Sequence, residues 1–338
     1  MTDPLIIHIT AQEMTSRFYT VLLAHGFEPG RAMQCAEIFT SNSVDGVYSH
    51  GVNRFPRFIE FVQKKRIHVH AENSLVKSLG SIEQWDGNLG PGPLNAVHAT
   101  DRAIQLAMEN GLGCVALSNT NHWMRGGYYG WHAAKKGFVL IAWTNTIPNM
   151  PAWKALDKRL GNNPLVMALP FHEEAIVLDM AMSQYSMGLL EISALKNQAL
   201  PVPGGFDVHG QLTKDATAII ESGRALPVGY WKGAGMALLL DLLATILSGG
   251  LSTCELSKQV DEYAVSQIFI CFDVGKLGNE SSISRMVNNI INDYHRSVPE
   301  SDQEKIVYPG ENVLKVREQN LKSGIPVLRS VWNSVLHL

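Results

Sequence analysis

Three short stretches of this sequence carry side chains able to do chemistry on a small anion. "VYSHGVNRFPR" at 47–57 holds His50, Arg54 and Arg57, "TNHWMRGGYYG" at 120–130 holds His122 and Arg125, and "GYWKGAG" at 229–235 holds Trp231 and Lys232. A histidine, with an unperturbed pKa of about 6.5, gives or takes a proton near neutrality. An arginine offers a fixed planar charge that grips a carboxylate or phosphate, and glycine lets backbone come close to a ligand. That set suits proton transfer beside a bound anion.

His50 lies beside Gly51, with Arg54 and Arg57 close enough to hold a carboxylate, so it is the candidate acid; the bland reading is a packed histidine with two solvated arginines. His122 and Arg125 follow the apolar run "CVALS", at the end where open α/β sheets present ligand-binding loops. The His122 ring could equally pack under Trp123 or Tyr128, and Arg125 is either an anion clamp or an exposed loop residue. Lys232 precedes an apolar helix, where it and the first amides could meet a diphosphate, or it stands in solvent. Asp179, at the end of "AIVLD", either accepts from a ribose hydroxyl or caps the next turn. His68 and His70 have no third ligand placed by spacing and read as exposed loop or strand residues.

Elements of two kinds position these residues. Thr10 and Glu13 form a capping box before a helix that ends at Gly26. Pro29 opens a second helix, and "RFIEFVQKK" a third, so the first 65 residues read as mainly helical. From about residue 75, "CVALS", "FVLIAWT", "LVMALP", "AIVLDM" and "SQIFICFD" read as strands. Helical patterns at 94–111 and 235–247 lie between them, and the chain from Ile283 returns to helix, with a Pro309–Gly310 turn before a closing helix.

At 338 residues and 46% hydrophobic, the chain can bury a substantial core. A net charge of -3 gives no reason to expect nucleic acid or an anionic membrane as partner. The apolar 235–247 run is interrupted by Asp241, is shorter than the ~20 residues that span a bilayer, and reads as a buried helix. No secretory signal is visible, which points to the cytoplasm. Cys35, Cys114, Cys254 and Cys271 are widely spaced and read as buried free thiols, and no metal site is expected.

An α/β chain of this size invites a search for the dinucleotide fingerprint. Gly111-Leu-Gly113-Cys-Val-Ala116 matches its letters, but these glycines follow a helix and enter a strand, whereas the phosphate loop leaves a strand and opens a helix. It reads as a helix cap followed by a strand. A dinucleotide bound here would be held without the Rossmann motif.

Taken in order, "SHGVNRFPRF", "SNTNHWMRGGYYG", "GNNPL", "VLDMAMS", "LPVGYWKGAGMALLLDLLATILSGG" and "YPGENVLKVREQN" resemble the signature blocks of the malate/L-lactate dehydrogenase-like oxidoreductases over nearly the whole chain. The resemblance implies a homodimer that reduces a 2-keto acid with NADH or NADPH. It makes His50 the proton donor and puts His122 in a block lining the cleft, where Arg54 and Arg125, as the candidate anion clamps, are expected at the substrate with it. It assigns the cofactor to Ala175, Ile176, Val177, Leu178, Asp179, Met180 and Ala181, to Trp231 and Lys232, and to Gly310, Glu311 and Asn312. Asn145 and Asn163 fall in blocks lining the same cleft. Trp123, Met124 and Arg125 depart from the commoner family pattern, which turns the expectation toward a small, polar, sugar-derived keto acid. A malate, lactate or cyclic-imine reductase on the same scaffold, and a ligand-binding protein without turnover, are the competing readings. The implied fold is α/β, a central mixed-sheet cofactor domain of non-Rossmann type with a mainly helical lobe built from the N- and C-terminal segments. Its divisions are 1–75, 76–280 and 281–338.

Overall fold

The computed structural model describes residues 5–301 and 304–338; residues 1–4 of the N-terminal segment, and 302 and 303 of the C-terminal segment, lie outside the described residues. The chain runs through β1 (Ile6–Ile9), α1 (Ala11–Ala24) and α2 (Pro29–Val44), then a 3-10 turn at Tyr48–His50 and α3 (Phe55–Gln63). Next come β2 (Ser74–Leu79), β3 (Ile82–Asp86), α4 (Gly92–Asn110), β4 (Leu112–Thr120), α5 (Gly126–Ala134) and β5 (Phe138–Thr144). The short β6 (Met150–Pro151) and β7 (Lys158–Leu160) precede β8 (Leu165–Phe171) and β9 (Glu174–Met180). A small excursion follows, made of α6 (Met187–Leu195), β10 (Gly205–Phe206), β11 (Leu212–Thr213) and α7 (Ala216–Ser222). Then come α8 (Trp231–Ser248), α9 (Thr253–Leu256), β12 (Val265–Asp273), α10 (Val274–Leu277), α11 (Glu280–His295), α12 (Glu311–Ser323), β13 (Ile325–Leu328) and α13 (Arg329–Leu336).

Seven strands form one mixed sheet in the order β2-β3-β4-β12-β5-β8-β9. Only β3 and β4 pair in parallel; the other neighbours are antiparallel. This is a mixed sheet of the kind the sequence indicates, without the parallel wound order of a Rossmann domain. Strand alternation splits its two faces. Val115, Leu117 and Phe269 face a core shared with α4 and α5, including Trp123, Tyr129 and Trp131. Ala116 and Ile268 face the other way, onto Ala237, Leu240 and Ala244 of α8.

The helical lobe joins both ends of the chain. Strand β1 pairs antiparallel with β13, and a separate core gathers Phe18, Phe39, Phe55 and Phe58 with Trp332 and Val335 of α13. Phe18 stacks on Phe55 at 4.0 Å between centroids. Thr10 caps α1 by accepting from the Glu13 amide at 3.1 Å. Gly111 ends α4 in the left-handed conformation, φ 84°, and β4 starts at the next residue, so the false fingerprint is a helix cap leading into a strand.

Two readings need correction. Cys254 is exposed, whereas Cys35, Cys114 and Cys271 are buried. Helix α8 is only half covered: one face packs on the sheet, while Leu238, Leu239, Leu242, Leu243 and Ile246 are 44–70% exposed. An apolar run alone does not say which of its sides finds a neighbour. Asp241, the polar interruption, accepts from Asn145 Nδ2 and from the Thr253 amide, both at 2.9 Å.

Candidate active site

His50 is positioned by the last turn of α2. Asn42 Nδ2 donates to the His50 carbonyl at 3.0 Å, and Ser43 Oγ accepts from the Val52 amide at 2.9 Å. The two polar side chains therefore grip the turn on both sides of the imidazole. Ser49 Oγ lies 2.9 Å from His50 Nδ1, which leaves Nε2 as the nitrogen free to face a ligand. Gly188, in the first turn of α6, closes on the same turn; a Cβ there would sit 2.7 Å from Ser49 Cβ.

His122 stands over His50, with ring centroids 5.8 Å apart and planes 17° from parallel. It packs on the other histidine rather than under Trp123 or Tyr128. The Met124 amide donates to His122 Nδ1 at 3.0 Å, which puts the proton of the neutral ring on Nε2 and makes that nitrogen a donor. Arg54, Arg57, Phe58, Phe61, Ile67, Asn121, His122 and Met124 line one narrow pocket. Arg57 lies 5.5 Å from the Phe61 ring centre. Among the described residues neither Arg54 nor Arg57 makes an ion pair, although Glu262 and Glu191 are near enough for their charges to act on Arg54.

Burial first, and then these charges, act on the histidines. Burial, then Arg54, then Arg125 push the His50 imidazole down from its ordinary 6.5 to about 4. Burial, with Arg54, His50 and Arg57, holds His122 well below its ordinary range. Arg54 is itself lowered, by burial first and by Arg57, against the opposing pull of Glu262 and Glu191. Neutral imidazoles and fixed positive charge thus stand together here, a setting that favours an anion.

Arg125 is not in the pocket wall. It is 5% exposed and donates to Asp45 Oδ2 at 2.5 Å, with Asp179 Oδ2 4.0 Å from its Nε. Asp45 also takes Arg317 of α12, at 2.7 and 3.1 Å. Asn145 and Asn163 are likewise fully buried. Asn145 Nδ2 donates to Asp241 and to the Leu251 carbonyl, while Asn163 accepts from the Thr146 amide and donates to the Ala237 carbonyl. They hold the loop after β5 in shape and do not face the pocket.

The segments that resemblance assigns to a cofactor converge on β9. Its Ala175 and Val177 point into the core, and Asp179 Oδ2 accepts from the Gly127 amide at 2.7 Å. Asp179 thus caps the start of α5 rather than a following turn. The Val177 amide donates to the Pro309 carbonyl at 3.0 Å. Gly310, at φ 93°, brings backbone so close to Val177 that a Cβ would meet its N and O at 3.2 Å, which seats Gly310, Glu311 and Asn312 beside the strand. Glu311 accepts from the Tyr308 amide and pairs with His295, both at 3.0 Å. Past the other end of β9, the Val228 amide donates to the Met182 carbonyl at 2.8 Å, bringing the loop before Trp231 and Lys232 alongside. Both residues are exposed, and neither α8 nor α12 has a side-chain cap on its first amides. Backbone carbonyls hold the first amides instead, Gly229 and Val228 at α8 and Tyr308 and Gly310 at α12, so what these segments expose beside β9 is the Trp231 and Lys232 side chains.

Asn42, Ser43, Asp45 and Gly188 go unnoticed when the sequence is read for motifs. Only Asn42, Ser43 and Asp45 carry a signal at all, three polar residues at the end of a helix just before the histidine.

Comparisons with known proteins bear on the family and the fold. The family profile described as malate/L-lactate dehydrogenase matches residues 9–336. The 2,3-diketo-L-gulonate reductase of Salmonella typhimurium is 44% identical over 328 residues, 97% of this chain and 98% of that protein. Malate dehydrogenase from Pyrococcus horikoshii superposes with a TM-score of 0.89 at 26% identity, covering 100% of this chain and 97% of that one. Malate dehydrogenase from Entamoeba histolytica shares the fold, with a TM-score of 0.93 at 21% identity over 98% of this chain and 97% of that one.

Proposed function

The chain belongs to the malate/L-lactate dehydrogenase family and is an oxidoreductase acting on a CH–OH/C=O couple, and from that premise we propose that it reduces a sugar-derived 2-keto acid with NADH or NADPH. The substrate this reading favours is 2,3-diketo-L-gulonate, reduced to 3-dehydro-L-gulonate, as the name of the 44%-identical relatives suggests. The observation that carries the reading is the unpaired Arg54 and Arg57 in the pocket wall with His122, close enough to His50 for the Arg54 charge to weigh on its imidazole.

In this mechanism the substrate carboxylate settles between Arg54 and Arg57, the pocket cations without an ion pair among the described residues. That anion cancels part of the charge that depresses His50, so binding and protonation of the imidazole are linked. The His50 Nε2 proton then passes to the carbonyl oxygen as it becomes an alkoxide. His122 Nε2–H donates to a neighbouring oxygen of the substrate. The reduced nicotinamide supplies the hydride. The start of α8 with Trp231 and Lys232, the turn at Gly310–Asn312, and the exposed edge of β9 with Asp179 would hold the cofactor.

We read the working protein as a cytoplasmic homodimer. The uncovered leucines of α8 support the second copy, since such an apolar stripe on one helix marks an interaction site. Replacing Leu239 and Leu242 by glutamate should give a monomer in light scattering; an unchanged dimer would place the contact elsewhere.

Activity on a panel of keto acids, followed by loss of reduced-nicotinamide absorbance, tests the reading. 2,3-Diketo-L-gulonate should give the highest kcat/KM, above oxaloacetate, pyruvate and cyclic imines. Faster turnover of oxaloacetate or pyruvate would make the chain a malate or lactate enzyme, and turnover of none would remove the reading.

A further inference from the structure

Beside the pocket lies a charge cluster that none of the proposed chemical steps uses. Asp45 caps the C-terminal end of α2, five residues before His50, and its side chain is 4% exposed. It accepts from Arg125, which leads into α5, and twice from Arg317, on α12. Each arginine reaches a second carboxylate, and both of these lie on β9: Arg125 faces Asp179 at 4.0 Å, and Arg317 Nη1 donates to Glu174 at 3.4 Å. Lys135 completes the set at Glu174, 3.1 Å away. The circuit thus closes from Asp45 through one arginine to one end of β9, and through the other arginine to the opposite end.

The packing around it is as tight as the ion pairs. Arg317 lies 4.7 Å above the Trp131 ring of α5. Asn320, one turn further along α12, donates to the Val44 carbonyl at 2.9 Å. At Gly46, φ 81°, a Cβ would meet Val316 Cγ1 at 2.7 Å, so only glycine lets α12 sit this close to the segment leading to His50. From three elements, the same few residues fix the distance between the His50 turn and the strand and turn to which the proposed function assigns the cofactor.

We infer that Asp45 is a positioning residue: by holding Arg125 and Arg317 together it sets the proton donor in register with the hydride donor and partners the arginine charge behind His50. The inference rests on the reading of His50 and β9 given above. The charged groups facing His50 are Arg54 on its own segment and Arg125 from the start of α5, with His122 stacked on it. Facing Asp45 are Arg125 and Arg317.

Three variants test it, each compared with wild type for kcat at saturation, reduced-cofactor affinity by fluorescence, melting temperature, and His50 titration by NMR. Asp45→Asn should lower kcat at least tenfold and move the His50 titration downward, because Arg125 is left uncompensated. Arg125→Met should move it upward, because a repelling charge is removed. Asp45→Glu keeps the charge and displaces the two arginines by one methylene, so kcat should fall while the titration stays in place. A residue that merely holds the fold together would change the melting temperature alone; unchanged kcat and titration in all folded variants would overturn the inference. Should wild type reduce no keto acid, the functional reading fails by itself. The titrations need no turnover and still decide whether Asp45 and Arg125 control His50: a static His50 in both charge variants overturns the inference, and opposite shifts uphold its electrostatic half.

Discussion

Two pairs of arginines sit on either side of the His50 turn, and they live under opposite rules. Arg125 and Arg317 are saturated, each bound to Asp45 at 2.5–3.1 Å. Arg54 and Arg57 line a pocket without an ion pair among the described residues, and Arg54 is destabilised by burial and by its neighbour. A buried cation is costly unless it is paired. The first pair meets that cost inside the chain, as structure does; in the second, the half-buried Arg54 leaves it to be met by a ligand, beside an Arg57 that reaches solvent. The contrast separates binding residues from architectural ones more sharply than residue type, since all four are arginines near one histidine.

The largest effect should come from the residue between the two pairs. Replacing His50 by alanine removes the proton donor and should lower kcat by roughly 10²- to 10⁴-fold, with reduced-cofactor affinity unchanged by fluorescence titration. Near-normal turnover would move the acid elsewhere, to His122 first. Arg54→Met should come next, raising KM for the keto acid by about 10- to 100-fold, the loss of a hydrogen bond to a charged group. Arg317→Met should leave that KM nearly unchanged, because Arg317 already has its anion. If both variants raise KM equally, the division between paired and unpaired arginines is wrong.

Much of this was legible in the sequence, and what was hidden was hidden for physical reasons. The strands β4, β5, β8, β9 and β12 announce themselves because buried strands must be apolar over their length. β2 does not, since all six of its residues are exposed and no face repeats. β1 is four residues long and its partner stands at the far end of the chain. His50 and Arg54 could be picked out because a histidine beside glycine and arginines is unusual. Asp45 could not, as its partners Arg125 and Arg317 are 80 and 272 positions away and no local pattern connects them. Arg125, Asn145 and Asn163 show the converse: polar residues in loops after strands look like ligand groups, yet here they satisfy buried backbone and carboxylates.

The pH profile sharpens the contrast by asking what the unpaired charges do to His50. With its imidazole lowered to about 4, the free enzyme at neutral pH carries the neutral form. The protonated fraction falls with each unit of rising pH, so kcat/KM for reduction should fall about tenfold per unit above that value. Calorimetry in buffers of different ionisation enthalpy should show proton uptake when the keto acid binds. In Arg54→Met the imidazole loses a repelling charge, and the limb should move upward. A flat profile between pH 5 and 8 in wild type would mean that His50 is not the acid whose protonation limits the reaction.

The smallest effect concerns stability, and its sign follows from the same depressed imidazole. In the unfolded chain His50 titrates near 6.5; in the folded chain it does so at about 4, and His122 and His98 are also lowered, chiefly by burial. Between those values the unfolded state binds protons that the folded state refuses, so unfolding becomes easier as pH falls from about 6.5 toward 4. Asp101, lowered to about 2 by His132 and Lys136 against the opposing effect of its burial, loses its contribution only below the ordinary aspartate range and does not confuse this window. The melting temperature should therefore drop by roughly a few degrees from pH 6.5 to 4.5. His50→Gln, which keeps a hydrogen-bonding side chain but cannot be protonated there, should show a shallower drop. An identical slope in that variant would mean that His50 is not the group that burial, with the Arg54 and Arg125 charges, keeps neutral in the folded chain.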